Sequence, residues 1–265
     1  MRQIGLPSGI GLLSGADFGA VRTNGNYLDA KDGDVRAAAN LVTDIFGYSC
    51  PKAFIRDAYY LPVVSISKIG QRHNAIPAAL AAYLSLWNGG WVATGVFQAN
   101  LACHTGADPM ERMISRAVFC GHIQPGEKYV PVDDVATMGG TLADLSNFIR
   151  QNGGEVVGIS LLANSSRDGI VSNAGDAKIY KLLKEREDGA FGHAIEQEFD
   201  VSIEALTRDE ARYLIGFRDV AELRNRAAAA RASRVSLLPK CGVRAADTLR
   251  RSLHLRQGDF VDVAK

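Results

Sequence analysis

Two adjacent carboxylates, Asp133 and Asp134, are followed by Val135, Ala136, Thr137, Met138, Gly139, Gly140 and Thr141. Side by side, ionised carboxylates accept hydrogen bonds and concentrate negative charge. Glycines let backbone N–H groups approach an anion, because they tolerate positive φ. The two threonine hydroxyls add further donors. A second set is basic: Ser67, Lys68, Ile69, Gly70, Gln71 and Arg72 form a polar stretch able to neutralise a pyrophosphate. A third set is scattered over His104, Arg112, Arg116 and Lys128. Together these residue types fit the binding of a phosphate-bearing ligand. The spacing matches neither the G-x-x-x-x-G-K-[ST] phosphate loop nor the G-x-G-x-x-G dinucleotide fingerprint.

The surrounding elements must aim these groups. Residues 128–132 read as a short strand ending on the acidic pair. Leu142, Leu145, Phe148 and Ile149 lie at helical spacing, so a helix is expected over 142–150. Asn152-Gly153-Gly154 stops it. Residues 155–163 (EVVGISLLA) are a continuous apolar run, the mark of a strand covered on both faces. The glycine loop therefore lies at the carboxyl end of a strand and the N-terminus of a helix, where α/β sheets bind phosphate. Upstream, Asp34 can cap a helix over 35–46 that Gly47 ends. Residues 61–66 (LPVVSI) read as a buried strand running into the basic loop at 67–74. A helix over 76–86 follows, with Pro77 tolerated in its first turn. Residues 91–97 read as the next strand. Within the long, mixed stretch 101–124, residues 110–118 fit a short amphipathic helix with its arginines in solvent. Residues 1–31, rich in Gly, Asn and Asp, read as irregular structure capping the site.

The order of apolar strand, two acids and T-x-G-G-T resembles the 5-phosphoribosyl-1-diphosphate (PRPP) motif of type I phosphoribosyltransferases. That resemblance implies an α/β fold with a doubly wound, mostly parallel sheet. It implies transfer of the phosphoribosyl group to a nucleobase or base-like nitrogen nucleophile, with release of pyrophosphate and with Mg2+ as cofactor. Such an enzyme is a pentosyl-transferring glycosyltransferase of nucleotide metabolism, expected as a homodimer. Asp133 and Asp134 would take the ribose hydroxyls and serve the metal indirectly, through ribose and diphosphate. Residues Val135, Ala136, Thr137, Met138, Gly139, Gly140 and Thr141 would wrap the 5′-phosphate. Ser67, Lys68, Ile69 and Gly70 would hold the diphosphate, with Lys68 or Arg72 as the leaving-group cation. Arg112 or Arg116 would act from a lid between the second and third core strands. Orotate enzymes carry D-D-V-x-T-x-G, reproduced over 133–139; adenine enzymes share Gly139, Gly140 and Thr141. The 6-oxopurine enzymes commonly place an aspartate where Thr137 stands, so hypoxanthine and guanine are disfavoured as acceptors. The likeness spans about 60–163; residues 1–165 are read as the phosphoribosyltransferase-like domain and 166–265 as a mainly helical extension.

Composition bounds the alternatives. The 265 residues are 47% hydrophobic and 22% charged, with a net charge of +1, an ordinary globular balance. No apolar run approaches the roughly 18 residues of a membrane span. Pro7, Gly9, Gly11 and Gly15 interrupt any signal-peptide core. Cys50, Cys103, Cys120 and Cys241 are far apart, as expected of reduced thiols in a cytoplasm. Residues 205–256 hold 12 Lys and Arg against 5 Asp and Glu. The arginine-rich helix expected over 219–234 is read either as a packing helix with a solvated face or as a contact for nucleic acid. Two functions from different classes follow: a PRPP-dependent transferase, or a non-catalytic PRPP- or nucleotide-binding regulator whose basic C-terminal segment meets nucleic acid. Removing residues 205–265 is expected to leave the PRPP site intact.

Overall fold

A computed structural model describes residues 1–47, 55–65, 74–100, 108–167, 169–171 and 176–237 of the chain. In chain order the first elements are strand β1 (Gly11–Ala16), helices α1 (Phe18–Thr23), α2 (Tyr27–Lys31) and α3 (Val35–Phe46), strand β2 (Tyr59–Pro62) and helix α4 (Ile76–Asn88). Strands β3 (Trp91–Val92) and β4 (Val96–Gln98), helix α5 (Pro109–Ile114) and strand β5 (Phe119–Gly121) follow. Then come β6 (Lys128–Ala136), α6 (Gly140–Gln151), β7 (Glu155–Val156) and β8 (Gly158–Asn164). Helices α7 (Ala177–Glu185), α8 (Ala190–Phe199), α9 (Arg208–Ile215) and α10 (Val220–Leu237) complete it.

The main sheet runs β1-β8-β6-β2-β3, with β7 also on β6, and every pairing in it is parallel. Among the described residues this is an α/β fold with helices on both faces. Side chains alternate across the sheet. Tyr60, Val130, Val132 and Leu162 pack with α3 and α4, whereas Leu61, Tyr129 and Val156 pack with Leu145, Phe148 and Ile149 of α6. From β2 the chain winds outward to β3. From β6 it winds the other way, through α6 to β8. The order therefore reverses between β2 and β6, and their carboxyl ends frame the crevice such a reversal leaves. At the opposite, amino end of the strands, Tyr59 stacks between Tyr129 and Trp91, with ring centroids 5.4 and 5.2 Å away.

Several expectations change here. Irregular structure holds only for residues 1–10: Leu12 and Leu13, between Gly11 and Gly15, form the edge strand β1 against β8, and α1 and α2 follow. Bringing β1 close to α3 requires glycine at 15, where a Cβ would lie 2.6–2.8 Å from Ile45 and Phe46. The strand expected over 91–97 divides, because Gly95 takes φ +92° and sends β4 into an antiparallel pair with β5. Likewise the run 155–163 breaks after Val156 into β7 and β8. The strand ending on the acids is longer than expected, since β6 carries Asp133 and Asp134 inside it. Helix α3 agrees end to end: Asp34 accepts from the N–H of Ala37, and Gly47 closes the helix at φ +76°.

Helix α6 is buried all round. Its apolar stripe faces the sheet, but Asp144, Ser146 and Asn147 are buried too. Residues from both ends of the chain cover them. Asn147 Oδ1 accepts from the N–H groups of Gln3 and Ile4 at 3.2 and 3.0 Å. Arg150 donates to Gly5 O at 2.8 Å. A separate apolar cluster joins Leu183, Phe191, Ile195, Phe199, Leu214 and Leu223 of the later helices, and Met110 and Met113 of α5 are buried in it. The C-terminal helices thus pack on the side of the sheet that carries α6.

Candidate phosphate and sugar site

Strand alternation sends the two acids to opposite faces of β6. Asp134 shares the α3–α4 face with Val130 and Val132. There it meets Lys31 from the end of α2, in a direct ion pair, and Asn74, whose Nδ2 donates to Oδ2 at 2.8 Å. Its other oxygen accepts from the N–H of Val135 at 2.7 Å. Asp133 points the other way, and its Oδ1 accepts from the N–H of Asp134 at 2.8 Å. Burial, and then the neighbouring charge of Asp134, push the Asp133 carboxyl well above the usual carboxylate range. Lys31 is raised: burial lowers it, but Asp134 more than offsets that.

Both acids line a cavity of about 480 Å³ at the carboxyl ends of β2 and β6, together with every residue from Val135 to Thr141. That size is ordinary for a small-molecule site. Phe18 and Tyr27, packed edge to face at 6.3 Å, come to the same cavity from α1 and α2. The cap expected at the N-terminus is therefore two short helices. Gly139 adopts φ +75°, ψ +6° and opens α6. The first turn of any helix presents N–H groups without internal partners.

The positions of the expected cations differ. Arg112 lies beside the glycine loop, its Nη1 donating to Thr137 Oγ1 at 3.0 Å; burial lowers its pKa. Arg116 lines the same cavity, but from within a buried cluster with Arg2, Asp144 and Glu210. Direct ion pairs join Arg116 to Asp144 and Arg2 to Glu210, and the cross pairs are 3.7 and 3.9 Å. Burial raises Asp144 despite both arginines. At Glu210 burial is outweighed by Arg2, Arg116 and the Thr207 N–H, and the pKa is lowered. Lys128 is exposed at the start of β6, the end away from the cavity. Ser67, Lys68, Ile69, Gly70, Arg72 and His104 lie outside the described residues. The α5 region is a docked helix, with a reciprocal Asp108–Glu111 cap and Met113 buried.

The C-terminal helices contact the site. Thr207 Oγ1 donates to Met138 O at 2.6 Å, and a Cβ on Gly139 would lie 3.5 Å from Thr207 Cγ2. Residues 205–265 thus touch the glycine loop, which runs against the expectation that the site would survive without them. On α10, Arg231 pairs with Glu198, Arg224 reaches Glu198 and Gln197, and Arg226 pairs with Glu222. The described arginines of that helix thus have partners within the protein. Sequence reasoning missed Lys31, Arg2, Asp144, Thr207 and Glu210. The available signals were the aspartate beside the apolar stripe of α6 and the capping box at 207–210.

No family model matches the chain. It is 32% identical over 225 residues to "Protein TraN" of Escherichia coli, covering 83% of this chain and 49% of that one. It is 46% identical over 44 residues to an orotate phosphoribosyltransferase of Desulforamulus reducens, which is 17% of this chain and 23% of that one. An adenine phosphoribosyltransferase of the same organism is 50% identical over 50 residues, 19% of this chain and 29% of that one. The chain thus spans half or less of the length of these relatives. A solved adenine phosphoribosyltransferase from Rhodothermus marinus superposes with a TM-score of 0.29 at 21% identity, over 49% of this chain and 66% of that one. That superposition is too loose to argue from. Among the described residues no helix is long and apolar enough to cross a membrane.

Proposed function

We propose that the protein transfers the phosphoribosyl group of PRPP to a nitrogen nucleophile, a nucleobase or base-like acceptor, and releases pyrophosphate. One observation carries the reading. The acidic pair and the loop 135–141 share a single cavity at the point where the strand order reverses. The short likenesses to orotate and adenine phosphoribosyltransferases support it.

In this reading the ribose hydroxyls donate to Asp133 and Asp134. The loop N–H groups, Thr137 and Thr141 hold the 5′-phosphate, with Arg112 alongside. Lys68 or Arg72, on the stretch after β2, neutralises the leaving diphosphate. Cleavage at C1′ develops oxocarbenium charge, so holding ribose and diphosphate in line is the main task. Phe18 and Tyr27 offer the acceptor an aromatic wall. Among the described residues no three His, Cys, Asp or Glu side chains cluster to hold a metal. Asp134 is committed to Lys31 and Asn74. This donor set fits Mg2+ held mainly by ligand oxygens, with the two carboxylates acting through the ribose hydroxyls. When bound, the ion would offset diphosphate charge. A homodimer and a cytoplasmic setting belong to the same proposal.

The test is pyrophosphate release from PRPP and magnesium with a panel of bases. Release with one acceptor supports the proposal. PRPP binding without release on any acceptor would favour the regulatory reading, and no PRPP binding at all would refute both.

A further inference from the structure

We infer that Thr207 is a positioning residue for the glycine loop: the start of α9 aims the N–H groups that meet a 5′-phosphate. The inference rests on the phosphoribosyl reading above. Two carbonyls flank Gly139 in the loop, and both are held from the side of the C-terminal helices. Met138 O accepts from Thr207 Oγ1 at 2.6 Å, and Gly140 O accepts from Arg2 Nη1 at 3.2 Å. A trans peptide is planar, with its C=O and N–H directed oppositely. Fixing the Met138 carbonyl therefore turns the N–H of Gly139 away from α9. Fixing the Gly140 carbonyl does the same for the N–H of Thr141. Gly139 and Thr141 both line the cavity.

The two anchors belong to one buried unit. Glu210 Oε2 accepts from the Thr207 N–H at 2.8 Å and pairs with Arg2, while the Glu210 N–H donates back to Thr207 Oγ1 at 3.1 Å. Gly140 gives this unit room, since a Cβ there would lie 2.8 Å from Glu210 Oε1. Capping α9 does not by itself require a hydroxyl. Helix α5 uses Asp108 in the same kind of reciprocal box with Glu111. An N-cap needs only an acceptor. What threonine adds at 207 is a donor, and that donor is spent on the loop.

The experiment separates the cap from the donor. Thr207→Ser keeps both, Thr207→Asp keeps the cap and loses the donor, and Thr207→Val loses both. Ribose 5-phosphate is titrated calorimetrically into each full-length variant, and the amide resonances of Gly139 and Thr141 are followed by NMR. We expect Thr207→Asp and Thr207→Val to bind ribose 5-phosphate about three- to tenfold more weakly, the worth of one hydrogen bond. Both should shift the two amide resonances. Thr207→Ser should match wild type in both readouts. Wild-type affinity and unshifted amides in Thr207→Asp would overturn the inference, as would failure of serine to rescue. A wild type that ignores ribose 5-phosphate, with amides that still shift in Thr207→Asp, would instead remove the phosphoribosyl reading and leave the positioning role standing.

Discussion

Replacing each aspartate of the pair by asparagine should move stability in opposite directions. Asp134 is buried, with Lys31 and Asn74 on one oxygen and the Val135 N–H on the other. In Asp134→Asn one oxygen remains for Val135. The new amide N–H2 then faces the ammonium of Lys31 or the amide of Asn74, donor against donor. Lys31 is about a third exposed, so its ion pair is partly screened and contributes roughly 1 kcal/mol. The Asn74 bond to a charged acceptor adds about as much. A loss of about 2 kcal/mol lowers Tm by roughly 4–8 °C for a chain of this size. Asp133 behaves the other way. Its pKa is raised in the fold, first by burial and then by Asp134. The native state therefore binds a proton that the unfolded chain has released. The stability Asp133 contributes is complete below its unfolded pKa and is lost as pH rises through the folded value. Asp133→Asn removes that loss and should raise Tm at neutral pH. Combined, the two substitutions should weaken PRPP by about 2–3 kcal/mol, because the charge-assisted contact to Asp134 and a carboxyl acceptor at Asp133 both go. The assays are thermal melts across pH 4–8 without ligand and PRPP calorimetry with magnesium. If Asp133→Asn melts as low as Asp134→Asn at neutral pH, the account of burial and repulsion is wrong. Unchanged PRPP affinity in the double variant would refute the site.

Arg116→Met should destabilise the fold by about 3–5 kcal/mol, because Asp144 and Glu210 are left with only Arg2 in a buried cluster; urea melts read this. A variant as stable as wild type but slow in pyrophosphate release would return Arg116 to the leaving group. Gly139→Ala should cost about 1–3 kcal/mol from its left-handed backbone, with further crowding against Ile170, and should weaken ribose 5-phosphate; a neutral effect on both would contradict the loop geometry. Hypoxanthine and guanine should be poor acceptors, since Thr137 is uncharged and its hydroxyl is engaged by Arg112; efficient turnover of either would refute this.

Legibility tracked how local the physics was. Helix α3 could be read end to end because Asp34 and Gly47 terminate it and its apolar residues recur at helical spacing. The capping boxes at 108–111 and 207–210 are local in the same sense. The acid pair and the glycine loop were legible as chemistry, because those residue types in that order have few structural uses. Arg2, Lys31 and Thr207 were not. Each acts through a partner between about 70 and 210 positions away, and no periodicity marks such a pairing. The all-round burial of α6 was hidden for a related reason. Its polar face reads as solvated, and only the folded chain shows what covers Asp144 and Asn147.

The aromatic stack at the amino ends of the strands has a practical consequence. The chain has two tryptophans, Trp87 and Trp91. Trp91 begins β3 beside Tyr59, and Trp87 ends α4, which returns antiparallel to the strands. Both therefore lie at the rim opposite the acid pair, and neither lines the cavity. Tyrosine is different, because Tyr27 stands at the cavity itself. Intrinsic emission excited at the indole band should follow global unfolding while remaining blind to site occupancy. Ultraviolet difference absorbance of the phenol should respond to a ligand. One unlabelled sample thus carries two optical channels, one for the scaffold and one for the pocket.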